Sequence, residues 1–451
     1  MRPDSPLRAP GLLSALGIIA VLSAAPSFAR GSCVPTWDGT LGTPGMSSGY
    51  VDSLIAHDDG SGNGVQLFAT GNFASAGGNP GTALIARWNG SSWVGVGGGL
   101  QNQFSNVLGV YQGELYVGGY FDSAGNVPGT AKLAKWNGTE WVSIGAQLES
   151  FLSSVWSFQV YDDGDGEDLY IGGNFLDIGG TTIDHIARWD GENFTEVGGT
   201  IVGPNQIVLD MRVYKGELYA CGRFQTVAGV PAANIARWNG TEWQAVGGGL
   251  PGTQVICMEV VGDDLYAGGS FTTAQGSPGM RIARWDGAAW HPLGPGLNST
   301  VQDIEHYDDG SGDKLYVVGS FSGTGDNSVL FDRIAVWDGV SWSGVGSGAD
   351  ATVFESYVWD DGSGPALLIG GSLTSVDGVS ANRVAAYVGC PVVTTCETDL
   401  NGDGMTDGAD LGLLLAAWGD CPAGCAEDLN GDGTVNGADL GLLLGSWGPC
   451  L

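Results

Sequence analysis

The sequence has little positive charge: 16 Lys and Arg residues stand against 49 Asp and Glu residues, for a formal net charge of −33. This balance argues against nucleic acid or an anionic membrane as partner. Histidine is rarer still. The four histidines (His57, His185, His291 and His306) are scattered and show no His-x-His spacing, which argues against a copper or zinc site. No phosphate loop or convergent catalytic cluster is visible, which favours a non-catalytic protein.

Only one extended apolar run occurs, at residues 11–25. Arg2 and Arg8 precede it, and Ser27-Phe28-Ala29 follows as a small-x-small cleavage site. This pattern predicts a signal peptide over 1–29 and a secreted protein, extracellular or associated with the cell surface. The run is short for a membrane span and no later segment qualifies, so no membrane span is expected.

Eight cysteines in an exported chain predict disulfides rather than metal ligands, and no Cys-x-x-Cys pair occurs. Cys396, Cys421, Cys425 and Cys450 repeat with a 29-residue offset. A bridge from Cys396 to Cys421 would span a whole loop and helix, so we predict Cys396–Cys450 and Cys421–Cys425. For Cys221 and Cys257, both pairing and simple burial remain open.

Between residues 33 and 390 the chain repeats itself about every fifty residues. Aligned with one another, the copies follow the consensus Leu-Tyr-x-Gly-Gly-x-Phe, a variable loop, and Ile-Ala-Arg-Trp-(Asn/Asp)-Gly-x-x-Trp. The first aromatic residue of the second half occurs at Trp88, Trp136, Trp189, Trp238, Trp285, Trp337 and Tyr387. Seven copies with four short strand patterns each predict an all-β fold, a seven-bladed β-propeller over residues 30–390.

The second copy shows the strand pattern most clearly. Strand a is predicted at Val107–Tyr111, strand b at Leu115–Phe121, strand c at Leu133–Trp136 and strand d at Trp141–Ile144. A glycine pair ending strand b, an aromatic residue on c and a Trp on d resemble the kelch and galactose-oxidase-like propellers. The resemblance implies an architecture only, because the catalytic tyrosine, histidine and cross-linked cysteine set of those enzymes has no counterpart here.

The last copy has no Trp after strand c, and its missing strand d is found at the N-terminus. Trp37-Asp-Gly-Thr-Leu-Gly resembles the strand-d segment that begins at Trp93. We therefore expect the N-terminal strand to close blade seven. Cys33 precedes this strand and Cys390 lies where the c–d hairpin should be, so a Cys33–Cys390 disulfide is predicted to replace the absent turn.

One position varies among otherwise constant copies, the residue before the Phe that follows strand b. It reads Asn72, Tyr120, Asn174, Arg223, Ser270, Ser320 and Ser372. This end of strand b opens on the face that carries the b–c and d–a loops. We predict that Asn72, Tyr120, Asn174 and Arg223 line a ligand mouth there. Solvent exposure is the alternative explanation of the variation.

Acidic a–b turns are a second open case. The run Asp162–Asp168 is the strongest example, and it fits either a tight turn or a weak calcium site. A row of cations beside the strand-c Trp is interpreted as packing and ion pairing rather than an anion site. Its members are Arg87, Lys135, Arg188, Arg237 and Arg284.

Two near-identical twelve-residue loops close the chain, 29 residues apart. Their positions 1, 3, 5, 7, 9 and 12 are Asp399, Asn401, Asp403, Met405, Asp407 and Asp410, and Asp428, Asn430, Asp432, Thr434, Asn436 and Asp439. Side-chain oxygens, with a backbone carbonyl at position 7 and glycine at position 6, suit a hard cation that takes six to eight oxygen ligands. Two Ca²⁺ ions are therefore predicted.

Each loop leads into a predicted helix with an apolar stripe at Leu411, Leu414, Leu415 and Trp418, repeated at Leu440, Leu443, Leu444 and Trp447. A loop followed by a helix, duplicated at a C-terminus, resembles the type I dockerin module. The resemblance implies calcium-dependent folding and docking onto a cohesin-like partner. Gly408-Ala409 and Gly437-Ala438 stand where dockerins usually carry a Ser/Thr pair that touches cohesin, so the calcium prediction transfers better than the partner.

The predicted organisation is a signal peptide (1–29), a propeller (30–390), a linker (391–398) and a small α-helical calcium-binding module (399–451). The favoured function is a secreted, non-catalytic propeller that binds a glycan or a protein and is attached to an extracellular assembly through its dockerin-like tail. The alternative is a polysaccharide-degrading enzyme, a glycoside hydrolase or lyase, with its active site on the loop face of the propeller.

Overall fold

The computed structural model describes residues 34–145, 148, 152–274, 277–278, 280–390, 398–401, 405–421, 425–430 and 432–449. The predicted signal peptide, most of the predicted linker, Cys33, Cys396, Asp403 and Cys450 lie outside these residues. Within them, no helix is long and apolar enough to cross a membrane.

The described chain is mostly β-structure, with seven four-stranded antiparallel sheets in the strand order a-b-c-d. Strand a occupies Tyr50–His57, Phe104–Tyr111, Val155–Asp162, Ile207–Tyr214, Gly252–Val261, Val301–Asp308 and Val353–Asp360. Strand b occupies Gln66–Asn72, Glu114–Tyr120, Glu167–Gly173, Glu217–Arg223, Asp264–Phe271, Asp313–Gly319 and Pro365–Gly371. Strand c occupies Ile85–Trp88, Leu133–Trp136, Ile186–Trp189, Ile235–Trp238, Ile282–Trp285, Ile334–Trp337 and Val384–Val388. Strand d occupies Trp93–Gly95, Trp141–Val142, Phe194–Glu196, Trp243–Ala245, Trp290–Pro292, Trp342–Gly344 and, for the last sheet, Thr36–Asp38.

The sheets are arranged as blades around an axis. Strand a of each sheet contacts strand a of the next, and strand a of the seventh sheet contacts that of the first. The glycine pair of strand b permits this approach: a Cβ on Gly118 would lie 2.5 Å from Cγ1 of Val155 in the next sheet. The fold is therefore all-β and propeller-like, and the predicted four-strand repeat is present.

Aromatic side chains join the outer edges of neighbouring sheets. The strand-c and strand-d tryptophans pack together, as with Trp136 and Trp141 at 5.3 Å between ring centroids. The indole Nε1 of Trp141 donates a hydrogen bond of 3.1 Å to the Val96 carbonyl of the preceding sheet. Trp243, Trp290 and Trp342 make the same bond at their own boundaries. The repeated Trp thus serves packing between sheets.

The seventh sheet combines both ends of the repeat region. Thr36–Asp38 pairs antiparallel with Val384–Val388, and Trp37 lies opposite Tyr387. Their rings are 4.9 Å apart between centroids. Cys390 is disulfide-bonded and donates its backbone N–H to the Asp309 carbonyl of the sixth sheet. Because Cys33 lies outside the described residues, its pairing with Cys390 stays a prediction.

Short pairs of two-residue strands lie in the loops between the main strands. They comprise Leu100–Gln101 with Ser123–Ala124, Asp177–Ile178 with Thr181–Thr182, Thr226–Val227 with Ile201–Val202 and Val230–Pro231, Thr273–Ala274 with Ser277–Pro278, and Ser375–Val376 with Val379–Ser380. A 3₁₀ helix covers Thr40–Gly42.

The C-terminal region contains two α-helices, Gly408–Ala416 and Gly437–Gly445. Short strands pair Met405–Thr406 with Gly448–Pro449 and Gly419–Asp420 with Thr434–Val435. Both helices begin with a capping box. The side chain of the N-cap residue accepts from the backbone N–H of the third helical residue, and the side chain of that residue accepts from the backbone N–H of the N-cap residue. Loop and helix are therefore repeated in structure as they are in sequence.

The apolar stripe of these helices is narrower than the spacing predicts. Leu414 and Leu443 are fully buried, and Leu411 and Leu440 pack partly against them. Leu415 and Trp418, by contrast, are 51% and 50% exposed, and the second copy behaves in the same way. Two short helices with little chain around them can cover only one residue row each.

Candidate functional site

Two of the four predicted mouth residues line one cavity. Asn174 and Arg223 line a cavity of about 570 Å³, here called the loop-face cavity, which also includes residues of the loops between the third and fourth sheets. Three apolar side chains around it face solvent: Leu152, Leu176 and Val202 are 71%, 57% and 49% exposed. Exposed apolar groups beside a cation and amides are typical of a recognition surface.

Hydrogen bonds hold these two residues in place. The Asn174 Oδ1 accepts from the Ser154 backbone N–H at 2.6 Å, and its Nδ2 donates to the Leu152 carbonyl at 3.0 Å. The Arg223 Nη2 donates to Gln254 Oε1 at 2.5 Å, while its Nε has no partner among the described residues. Asn174 thus shapes the loop, and Arg223 keeps donor capacity.

The other two predicted mouth residues lie on the first and second sheets, outside this cavity. Asn72 is exposed and lies opposite Tyr50 in the ladder. Tyr120 packs on Phe104 at 5.5 Å between centroids, with the Lys132 Nζ 5.9 Å from its ring. Seven strand-b ends are distributed around a ring, so equivalent positions need not meet in one pocket.

His185 and Asp184 also line the loop-face cavity, and neither was singled out as a site residue from the sequence. The His185 Nδ1 contacts Asp184 Oδ1, and Asp184 Oδ2 accepts from the Ile201 N–H at 3.1 Å. His185 has a φ of 69°, and the residue before strand c has positive φ in every copy. In other copies this side chain binds loop carbonyls, as Arg333 binds Ala349. The position is therefore structural in the repeat.

A second cavity, of about 580 Å³, lies where the seven inner strands meet, and is called the axial cavity below. Strand a of every sheet contributes to its lining. Five carboxyl groups and one guanidinium surround it: Asp52, Asp210, Asp303, Glu305, Glu355 and Arg212. These residues lie in four different copies of the repeat, so no motif in the sequence joins them. For Asp210, Asp303 and Glu355, the available signal was an acidic residue in strand a where other copies carry Ser, Val or Cys.

Three of these carboxyl groups bind the next sheet. Asp210 Oδ2 accepts from the Met258 N–H at 2.8 Å, and Asp303 Oδ2 accepts from the Ser356 N–H at 2.8 Å. Glu355 Oε1 accepts from the Leu54 N–H at 3.3 Å. The inner strand of each sheet is an edge with unpaired backbone groups, and these side chains satisfy some of them. Their first role is to join blades.

Burial changes the titration of the axial carboxyl groups. It raises the pKa of Asp303 to about 6, that of Glu259 to about 7 and that of Glu305 to about 9. The negative charges of Glu259 and Asp303 add to the effect on Glu305, whereas Arg212 opposes it. The Arg212 Nη1 lies 2.7 Å from Asp210 Oδ1 and its Nε lies 3.8 Å from Glu259 Oε2. One guanidinium cannot neutralise this group of acids.

We expect the unfolding free energy to fall between pH 5 and pH 9. A carboxyl whose folded pKa is raised binds more protons in the folded state, so its contribution is complete below the unfolded pKa and is lost as pH rises through the folded one. Glu305→Gln should match the parent at pH 5 and exceed it at pH 9 by about 1–3 kcal/mol, since one pKa unit is worth about 1.4 kcal/mol and partial exposure screens the shift. Urea unfolding at both pH values measures this. Glu192→Gln, in an exposed turn, is the control, and equal pH slopes in both variants would contradict the expectation.

The second predicted calcium loop has its side-chain oxygens turned inward. Asp428 Oδ2 accepts from the Gly433 N–H at 2.8 Å, Asn430 Oδ1 from the Asp432 N–H at 2.9 Å, and Asp432 Oδ1 from the Thr434 N–H at 3.0 Å. Asp439, at position 12, is fully buried and accepts from the Asn436 N–H at 2.8 Å. The oxygens at positions 1, 3, 5 and 12 of this loop therefore accept backbone N–H groups of the loop itself, and Asp428, Asp432 and Asp439, all within the described ranges, do not converge as a group that could hold a metal ion.

The first loop repeats this arrangement where it is described. Asp410 is fully buried and accepts from the N–H groups of Leu400, Asn401 and Asp407 at 2.8, 3.1 and 2.8 Å. Burial acts to raise its pKa, but these donors leave the pKa below its usual value. No three His, Cys, Asp or Glu side chains of the described residues converge as a metal-binding group. The predicted sites also use Asn side chains and a backbone carbonyl, and Asp403 lies outside the described part.

The acidic a–b turns are built by their own carboxylates. Asp162 Oδ1 accepts from the N–H groups of Gly164 and Gly166 at 2.8 and 3.0 Å, which is ordinary turn chemistry. The cations of the predicted basic row are ion-paired, as predicted, with carboxylates of their own sheets. The pairs are Arg87–Asp59, Lys135–Glu114, Arg188–Asp163, Arg237–Glu217 and Arg284–Asp264. The ion pairing of the basic row is therefore present, and calcium binding by the Asp162–Asp168 turn stays open.

The described cysteines fall into two classes. Cys421 and Cys425 lie at disulfide distance, with 5.8 Å between their Cα atoms, in agreement with the predicted pair. Cys221 and Cys257 are both free and buried, and burial raises their pKa values well above the usual range. They serve as core residues. Cys396 and Cys450 lie outside the described residues, and their pairing stays a prediction.

Comparison with known proteins gives only distant likenesses. No family model matches the sequence, and no curated protein matches it. The solved structure of the computationally designed Ika8 protein is 12% identical, with a TM-score of 0.41 over 76% of this chain and 97% of that chain. The structure of BBS1N in complex with ARL6DN is 9% identical, with a TM-score of 0.48 over 80% of this chain and 98% of that chain.

Proposed function

We propose that this chain is a secreted, non-catalytic seven-bladed β-propeller that binds a glycan or a protein on its loop face. A dockerin-like C-terminal module with two Ca²⁺ ions would attach it to an extracellular assembly. The observation that carries the binding proposal is the loop-face cavity, in which Asn174 and Arg223 lie together among exposed apolar side chains. Recognition by surface side chains requires no catalytic group.

The chemistry of this cavity favours a ligand with both apolar faces and a carboxylate. Arg223 can pair with a carboxylate in two-point geometry, and Leu152, Leu176 and Val202 offer surface against which a sugar ring or an apolar side chain can pack. Tyr120 adds an aromatic face on a neighbouring blade. An acidic glycan, such as one containing uronic acids, and an acidic peptide segment are the two forms of this ligand.

The C-terminal module offers the surface for attachment. Leu413, Leu415 and Trp418 are 40%, 51% and 50% exposed, and Leu442, Leu444 and Trp447 are 46%, 51% and 50% exposed. Half-exposed leucines and tryptophans in a duplicated arrangement support docking onto a protein. A cohesin-like partner is proposed for this surface. Gly408-Ala409 and Gly437-Ala438, in place of a Ser/Thr pair, would make its recognition apolar rather than hydrogen-bonded.

Replacing Tyr120 and Arg223 together by Ala should abolish ligand binding and leave the melting temperature almost unchanged, because neither residue belongs to the repeated packing set. Screening of the full mature chain on a glycan array identifies the ligand, and the double variant is then compared on the same array. Arg237→Ala is the matched control, since Arg237 pairs with Glu217 in the outer part of a sheet. Binding that survives the double change but is lost on altering the Asp162–Asp168 turn would place the site on the opposite face.

The enzymatic alternative is tested on the same preparation. A glycoside hydrolase or lyase should release reducing ends or unsaturated products from a polysaccharide panel, whereas a binding module should retain its ligand without turnover. Product formation that requires carboxyl groups around either cavity would replace the binding proposal by the alternative.

A further inference from the structure

Some polar side chains around the axial cavity have hydrogen-bond partners and others do not. Asp210, Asp303 and Glu355 each accept a backbone N–H of the next sheet. Asp52 makes no hydrogen bond or ion pair with any of the described residues. Asn106 is only 7% exposed; its Nδ2 donates to the Val155 carbonyl at 2.9 Å, and its Oδ1 has no partner among the described residues. The Asp52 carboxyl and the Asn106 Oδ1 therefore have no donor partner, and the amide of Gln302 also lines the cavity without a hydrogen-bond partner among the described residues.

Asp52 and Asn106 occupy the same level of the ring. Each is the extra residue of an irregularity in strand a, at Val51/Ser53 and Ser105/Val107, where pairing with strand b shifts register. Trp156 occupies this position in the third sheet and Phe354 in the seventh. A bulge redirects the side chain of the extra residue, and all four residues line the axial cavity. The carboxyl, the amide and two aromatic rings therefore share one level.

The charge around this level also calls for a positive ligand. Five carboxyl groups line the cavity against the single guanidinium of Arg212. Arg212 is committed to Asp210 at 2.7 Å, and burial raises the pKa of Asp52 well above its usual value. A bound cation would supply the missing donor and the missing positive charge together.

We propose that the axial cavity binds a small organic cation, an ammonium group on an apolar or aromatic body, through Asp52 and the Oδ1 of Asn106. Trp156 and Phe354 would face the cation or its body, as aromatic rings do in ammonium sites. A volume of about 580 Å³ suits a small molecule. A metal ion fits less well, because no three His, Cys, Asp or Glu side chains in the described ranges converge on one point.

The test uses tryptamine, and tryptophol as its neutral isostere, in calorimetric titrations of the full mature chain. Tryptamine should bind and tryptophol should bind at least about tenfold more weakly, because the ammonium offers three donors and a positive charge, whereas the hydroxyl offers one donor and no charge. Asp52→Asn should weaken tryptamine binding about tenfold or more. Glu192→Gln, which removes an equivalent charge from an exposed turn, should leave it unchanged. Equal affinity for the two probes, or full affinity in Asp52→Asn, would overturn the proposal.

A second readout needs no variant. Binding should release protons near neutral pH, because the cation draws Asp52 into its ionised form, and titrations in buffers of different ionisation enthalpy measure the release. The other titratable or charged groups around the cavity are Tyr50, Asp210, Arg212, Cys257, Glu259, Asp303, Glu305, Glu355 and Tyr357. If Asp52→Asn still releases protons on binding, the cation binds beside another carboxyl group of the cavity, such as Glu305, and the role of Asp52 is refuted. Displacement of tryptamine by Ca²⁺ or Mg²⁺ would refute the organic-cation class.

Discussion

The C-terminal segment 396–450, expressed alone, is expected to bind two Ca²⁺ ions and to gain helix as it does so. Each loop carries several carboxylates within twelve residues, and their repulsion opposes the loop conformation until a cation is bound. The same residues also cap the helices: Asp410 and Asp439 lie at the third helical position and at loop position 12. Ion binding and helix formation should therefore be one event. Calorimetry counts the ions, and far-ultraviolet circular dichroism follows the helix.

Single substitutions test the two calcium sites separately. Asp399→Ala should reduce the count from two to one, and Asp428→Ala should remove the other ion. Asp420→Ala is the matched control, because Asp420 is an exposed carboxylate of the same module outside both loops. In the full chain, Asp399→Ala should leave the unfolding of the propeller intact. Fewer than two ions in the parent segment, or two ions bound without helical gain, would refute the calcium assignment.

The blade pattern was predictable because every copy repeats the same packing problem. The glycine pair, the strand-c aromatic and the strand-d Trp each satisfy a contact between neighbouring sheets, so they recur in register and mark the strands. Strand boundaries were less accurate: strand a of the second sheet begins at Phe104 rather than Val107. The prediction covered only the apolar run before the turn, whereas the strand continues to Phe104 across the register shift between Ser105 and Val107.

The axial cavity could not be predicted in the same way. Asp210, Asp303 and Glu355 occupy the same position of strand a in three different copies, and each is acidic. The other copies carry Ser53, Val107, Ser157 and Cys257 at this position. Their proximity depends on ring closure, which brings residues about 150 positions apart together. The loop-face cavity was partly predictable, since variation among copies marked Asn174 and Arg223. Leu152, Leu176 and Val202 lie in loops without a repeated pattern, and no sequence signal distinguished them.

Ring closure itself has the other large expected effect. In the part of the chain that the structure describes, the ladder between the N-terminal strand and the last repeat has three residue pairs, Thr36–Val388, Trp37–Tyr387 and Asp38–Ala386. Trp37 is 9% exposed, so opening this strand would uncover its ring and part of the seventh sheet. A covalent link outside the strand would hold it in place. Peptide mapping of the mature chain should find Cys33 and Cys390 in one disulfide.

Breaking that bridge with Cys390→Ser should lower the unfolding free energy of the propeller by several kcal/mol, about 5 kcal/mol on the chain-entropy model, because the bridge closes a loop of roughly 350 residues. Strain or residual structure in the unfolded chain would reduce this value. Cys421→Ser is the matched control: it removes a bridge across four residues of the C-terminal module and should leave propeller unfolding unchanged. Tryptophan fluorescence during urea unfolding reports on the propeller in both variants. If Cys33 and Cys390 are both found as free thiols, or Cys390→Ser unfolds with the parent, then Thr36–Asp38 is held by its ladder and the Trp37 contacts alone.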